Sequence, residues 1–235
     1  MSARSLWLAV LLQVFPPLAS ADPASAVGDS LPPVGAPSPC IACAGPAQSL
    51  SGLFAGEELE QLRAGESVLQ QPGASQASTS GGHVQAASLF TAAPGEVWQT
   101  LTDFESWPGF MPHINATEVA RRDGAQTWVR QRYSVLLRTL RHTTIYRLDP
   151  RGGELHWGLD PDEPADISSS HGRWQLIPVE DGSATLVRYR ATMDAGRALP
   201  GFVQDLLLRR SLREMLDRLR AEVRRRAETV QPTAK

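Results

Sequence analysis

The sequence predicts an α+β fold in which one long C-terminal helix lies across an antiparallel sheet. Three observations predict it. Residues 114–194 alternate apolar and polar side chains at period two, in short segments separated by turn pairs. Residues 200–228 instead repeat apolar positions at helical spacing and form a single long amphipathic element. Before the meander come one strand-like segment and one helix opened by a proline, so helices sit at the two ends of a run of strands.

The 235 residues, 42% hydrophobic and 20% charged, suffice for one substantial core with tails to spare. A formal net charge of -2 supplies no overall field to attract nucleic acid, and no nucleic-acid partner is expected. Residues 1–21 read as a secretory signal. Arg4 gives a positive start, residues 6–15 are apolar apart from Gln13, and Ala19-Ser20-Ala21 fits a cleavage site. The apolar run is far shorter than the roughly 20 residues that cross a bilayer, so cleavage is favoured over anchoring. The mature chain is expected to begin near Asp22, in the periplasm or outside the cell.

Residues 22–51 are rich in Pro, Ala, Gly and Ser and nearly devoid of aromatic and charged side chains, the composition of a disordered tether. This stretch holds both cysteines, Cys40 and Cys43. In an oxidising compartment they are a candidate local disulfide or an inert pair. Pro39 and Gly45-Pro46 oppose the helix that lowers the thiol pKa of a redox pair, zinc lacks two further ligands, and Ala44 stands where haem attachment needs histidine. Neither a metal nor a cofactor is expected. Within residues 52–82, Leu59 and Leu62 share the face of a short helix near 56–64, Gly65 stops it, and 67–70 offer an edge strand before a polar loop. This piece is either loosely attached or packed on the main domain.

The main domain spans 83–228, with a tail at 229–235. A strand over 84–91 leads to a helix with Pro94 in its first turn and Glu96 near its positive end; Val97, Trp98 and Leu101 mark its buried face. Residues 103–112 carry Phe104, Trp107, Phe110, Met111 and two prolines, and predict a kinked, largely buried turn. Strands follow, punctuated by Asp123-Gly124, Arg151-Gly152-Gly153, Asp160-Pro161 and Asp181-Gly182. One strand over 127–137 sets Val129, Tyr133, Val135 and Leu137 against Arg130, Arg132, Ser134 and Arg138. Parity then places His142, Thr144, Tyr146 and Leu148 on the inner face, followed by Leu155, Trp157 and Leu159, by Trp174 and Leu176, and by Val187, Tyr189, Ala191 and Met193. In the last helix Leu208, Leu212, Met215, Leu216, Leu219 and Val223 form one stripe. Phe202, Val203, Leu206 and Leu207 make its first turns apolar on nearly every side.

Three stretches, Ala93-Pro-Gly-Glu-Val-Trp98, Leu101-Thr-Asp-Phe-Glu-Ser-Trp-Pro-Gly-Phe-Met-Pro112 and Gly172-Arg-Trp174, together with the closing helix, resemble the START-like (SRPBCC) superfamily. The likeness is to its polyketide cyclase/dehydrase and coenzyme-Q-binding branch. It implies the helix-grip fold and an apolar cavity between sheet and helix for a lipid-, quinone- or polyketide-like molecule. The residues agree in part: large apolar surface with a few polar tips suits a small-molecule pocket, while plain core filling accounts for the same side chains. Candidate ligand-binding residues are Trp107, Phe110, Tyr133, His142, Tyr146, Trp157, Trp174, Tyr189, Phe202 and Leu206.

Catalysis is the weaker alternative. A cyclase- or dehydratase-like reaction needs an acid or base facing the cavity, and His142, with Tyr146 on the same face, is the candidate. A buried histidine satisfied by its surroundings is the commoner outcome. His156 and His171 have outward parity, and His113 sits in a loop. There is no Gly-x-Ser-x-Gly elbow, phosphate loop or dinucleotide fingerprint. The arginines of the last helix offer peripheral contact with anionic lipid, although a solvated face balanced by Asp205, Glu214, Asp217, Glu222 and Glu228 explains them with fewer assumptions. Oligomeric state is left open.

Overall fold

The computed structural model describes residues 46–70, 82–135, 138–194 and 201–230, with residues 135, 201–208 and 230 described by backbone alone. The expected signal, Cys40 and Cys43, and the polar loop over 71–81 lie outside the described residues, as do the side chains of Phe202 and Leu206.

The meander becomes six strands: β3 (Ile114–Asp123), β4 (Gln126–Val135), β5 (Arg138–Asp149), β6 (Glu154–Leu159), β7 (Ser169–Val179) and β8 (Ala184–Asp194). Each pairs antiparallel with the next, and β8 then pairs with β2 (Gly82–Phe90), which carries β1 (Val68–Gln70) on its far edge. Gly124 and Gly182 turn with φ of 54° and 88°, a region open to glycine without steric cost, which explains why Asp-Gly pairs mark these hairpins. One boundary departs from the expectation. The strand read as 127–137 ends at Val135, and Arg138 opens β5 directly opposite it. No Gly, Pro, Asn or Asp stands between them to signal a turn.

The registers confirm the inner face. Gln131 opposes His142, Val129 opposes Thr144, Tyr146 opposes Trp157, Leu155 opposes Trp174, and Trp174 opposes Tyr189. Against this face pack α3 (Pro94–Thr102) and the long α4 (Gly201–Val230). In α3, Pro94 occupies the first turn, and the Ala93 backbone N–H donates to the Glu96 carboxylate at 3.0 Å. Leu212, Leu216, Leu219 and Val223 form the buried stripe of α4. The aromatic turn is a 3-10 helix (Phe104–Gly109) with Phe104, Trp107, Phe110 and Met111 all buried.

The opposite, outer face is covered at one end by the N-terminal piece. Residues 46–51, expected in the tether, instead belong to the folded body. Gln48 bridges Val179, α1 (Leu50–Leu53) follows, and Leu50 is buried; a single helical turn is fastened here by packing, which composition does not reveal. Together with α2 (Gly56–Arg63), it buries Leu50, Phe54 and Leu62 against Ala87, Ile177, Val179 and Leu186.

Arg220 fastens this piece to α4. Its guanidinium donates to the Gly65 carbonyl at 2.6 Å and to the Ser67 hydroxyl at 3.3 Å, and it also meets the Ser88 hydroxyl. At the C-terminal end of α4, Arg226 meets Asp103 at 2.9 Å and donates to Ser106 at 2.8 Å, while Glu222 holds Arg226 at 2.7 Å. The reading of a solvated, internally balanced arginine face therefore holds for Arg218 with Glu214 at 2.7 Å and fails for these two clamps. Arg220→Met is expected to lower stability by about 2 kcal/mol, the loss of charge-assisted hydrogen bonds. Amide exchange in β1 should accelerate more than in β7, and equal protection in both would exclude the clamp.

Candidate functional site

The inner face divides into two regions. Around Phe90, Val97, Leu101, Phe104, Leu155 and Leu216 it is fully buried and closed. Toward Tyr133, Leu140, Trp157, Leu159, Tyr189 and Met193, residues facing the same side are only half-buried. Burial nevertheless pushes the Tyr133 and Tyr189 hydroxyls well above the ordinary tyrosine range. Trp157 stacks on Tyr189 at 5.3 Å and Tyr189 meets Trp174 edge-on at 4.5 Å, so this region of the inner face is aromatic.

A polar cluster lies on the β4–β5 side. The Gln131 amide nitrogen donates to the Tyr146 hydroxyl at 2.9 Å, while the Gln131 carbonyl accepts from Thr144 at 3.1 Å and Tyr133 at 3.3 Å. The Tyr133 ring stacks on His142 with centroids 5.2 Å apart and planes 14° apart. His142 is 7% exposed, and its Nδ1 has no hydrogen-bond partner among the described residues. Desolvation lowers its pKa to about 4 against a small opposing pull from Asp166, so the imidazole is neutral at pH 7. A buried polar atom without a partner is uncommon in a native interior.

The sequence candidates therefore separate. Trp107 donates its indole N–H to the Leu101 carbonyl at 3.1 Å and packs with Phe104 and Tyr146, and all of these are closed into the core with Phe110 and Trp174. Tyr133, Trp157 and Tyr189 are half-buried, and His142 lies beside Tyr133. His113 is exposed, and His156 and His171 face outward, as parity indicates. Gln131 was not among the candidates, although the alternation through Val129 and Tyr133 places it inside. The described residues contain no group of three or more His, Cys, Asp or Glu able to hold a metal ion.

An antiparallel sheet gripping a C-terminal helix, with an aromatic inner face, defines a START-like helix-grip protein. Solved structures agree on that fold. The Zhui aromatase/cyclase from Streptomyces sp. R1128 is 19% identical with a TM-score of 0.54, covering 62% of this chain and 94% of its own. A STAR-related lipid transfer protein fragment from Xanthomonas axonopodis is 18% identical with a TM-score of 0.57, covering 67% and 92%. A START superfamily protein from Mycobacterium smegmatis is 17% identical with a TM-score of 0.54, covering 62% and 99%. The family model for polyketide cyclase / dehydrase and lipid transport matches residues 82–228, and the chain belongs to that family. No curated protein matches it.

Proposed function

We propose that this protein is an exported carrier or sensor that holds an apolar small molecule between the sheet and α4, with one polar end of the guest at His142. Lipid-, quinone- and polyketide-like molecules share this chemistry. The observation that carries the reading is the neutral, buried His142 with an open Nδ1 beside half-buried Tyr133. A guest hydroxyl or carbonyl supplies the missing partner while its apolar body covers Trp157 and Tyr189. Native mass spectrometry of protein purified from its host should recover a noncovalent guest. His142→Phe should weaken that guest by up to about tenfold, one hydrogen bond's worth. Protein recovered empty, and thermally indifferent to a panel of lipids and quinones, would count against the reading.

Export is part of the proposal and rests on Arg4, the apolar residues 6–15 and Ala19-Ser20-Ala21. N-terminal sequencing of the mature protein should begin near Asp22. The second reading, a cyclase- or dehydratase-like enzyme, draws on the same imidazole. A general base works best with a pKa near the operating pH, and one lowered to about 4 is a weak proton acceptor at pH 7, which favours binding over turnover. If a substrate is found, full turnover by His142→Ala removes the proposed base.

A further inference from the structure

The outer face of the sheet holds a concavity of about 580 Å³, which shares only Trp157 with the residues assigned to the carrier site. It lies beside the patch covered by α1 and α2 and is built from two adjacent cross-strand rows. His156 on β6, Arg173 on β7, Arg190 on β8 and Gln85 on β2 stand opposite one another in sequence. In the next row come Gly158, His171, Thr192 and His83. Outward parity brings all these side chains to one surface, and Gly158 leaves its position open.

The charge of this surface is unbalanced. Arg173 and Arg190 are direct cross-strand partners, an arrangement in which like charges destabilise a sheet. The lining includes both of them with three histidines and contains no carboxylate. At its border, Glu154 meets Arg173 at 3.6 Å and His156 at 2.8 Å. Among the described residues Arg190 forms no ion pair. The repulsion is felt nearby: Arg188, partly desolvated, is lowered further by Arg173 and Arg190. Of the two arginines, Glu154 at the border partners Arg173 alone, so the charge of Arg190 opposite it is left for an anion to balance. Neighbouring strands lie about 4.8 Å apart, so both planar forks reach one tetrahedral oxyanion, the group for which arginine geometry is best matched.

We propose that this outer concavity binds a soluble phosphate-bearing small molecule, with Arg173 and Arg190 clamping the phosphate and His83, His171 and Thr192 contacting the rest. The concave shape favours a small ligand over a flat membrane surface, and the volume suits one of ordinary metabolite size. The site stands on the face opposite the carrier cavity and is independent of what that cavity holds.

Calorimetric titration of the full chain with pyrophosphate at low salt tests it. Saturable binding is expected, weakened about tenfold by Arg173→Gln or Arg190→Gln and abolished in the double variant. Pyrophosphate should raise the unfolding temperature of the parent and leave the double variant unmoved. Without ligand, Arg190→Gln should unfold at a higher temperature than the parent, because it relieves the repulsion. Should the double variant fail to fold, Arg190→Lys keeps the charge, removes the fork and should bind severalfold more weakly. The proposal is overturned by the absence of saturable binding, or by undiminished affinity in the folded double variant or in Arg190→Lys. Association only with anionic vesicles, lost through the same substitutions, also overturns it and identifies the surface as a membrane contact.

Discussion

Acidification from pH 6.5 to 4 is expected to remove about 3 kcal/mol of folding stability through His142 alone. Above pH 6.5 the imidazole is neutral in both folded and unfolded chains and contributes no pH dependence. Below it the unfolded chain takes up a proton while the buried ring, with its pKa lowered to about 4, does not, so the equilibrium moves toward unfolding until the folded ring also protonates. Glu222 acts in a lower window. Hydrogen bonds from Arg225 and Arg226 hold its carboxyl down at about 2, so its stabilisation is complete above pH 4.5 and fades as pH falls toward 2. Urea unfolding of the parent and His142→Phe between pH 6.5 and 4.5 separates the two. The parent should lose stability steeply over that interval and the variant much less; matching slopes would show that the ring is not buried neutral. A bound guest that hydrogen-bonds Nδ1 of the neutral ring deepens the parent's loss.

Gly172→Ala is expected to destabilise the protein by about 2 to 3 kcal/mol, the range for overpacking a tight interior. A methyl group there meets the Arg190 carbonyl oxygen on the paired strand and the Trp157 ring lying over the glycine. The ring has some freedom to swing aside, but the carbonyl belongs to the β7–β8 ladder and yields only by breaking register. Thermal or denaturant unfolding measures the cost. Near-UV circular dichroism should change with it, because Trp157 stacks on Tyr189. A variant with parental stability and spectrum would mean that the close approach is not maintained in solution. Displacing Trp157 also disturbs its stack on Tyr189, so affinity for any recovered guest should fall even in the fraction that folds.

Period-two parity was enough to place His142, Tyr146, Trp157, Trp174 and Tyr189 on one face, because hydrogen-bonded strands keep each alternation in phase with its neighbour. Proline and glycine punctuation was equally legible at Pro94, Gly124 and Gly182. The boundary between Val135 and Arg138 was not, since no residue there has a turn preference. Gln131 stands between Arg130 and Arg132 and reads as surface unless alternation is carried through it; as the hub joining Tyr133, Thr144 and Tyr146 it is visible only in three dimensions. Arg220 illustrates the limit. Its partner carbonyl at Gly65 is 155 residues away, and no local pattern marks which member of an arginine-rich helix turns inward. Closure of the inner face around Trp107 and Phe110 was likewise undetermined, because a pocket wall and a packed core use the same residue types.

The joining of β2 to β8 sets the order in which the molecule assembles. Strands β3 to β7 each find a partner in the next segment of chain, whereas Ser88 must find Val187, on the last strand of the meander. Closing so long a loop carries an entropic penalty that the local hairpins escape, so the hairpins form early and the β2–β8 seam closes late. Until β8 exists, β2 lacks its central partner and β1 has only that unanchored strand to lean on. A chain truncated before β8 is therefore expected to expose an unpaired β2 edge open to intermolecular association.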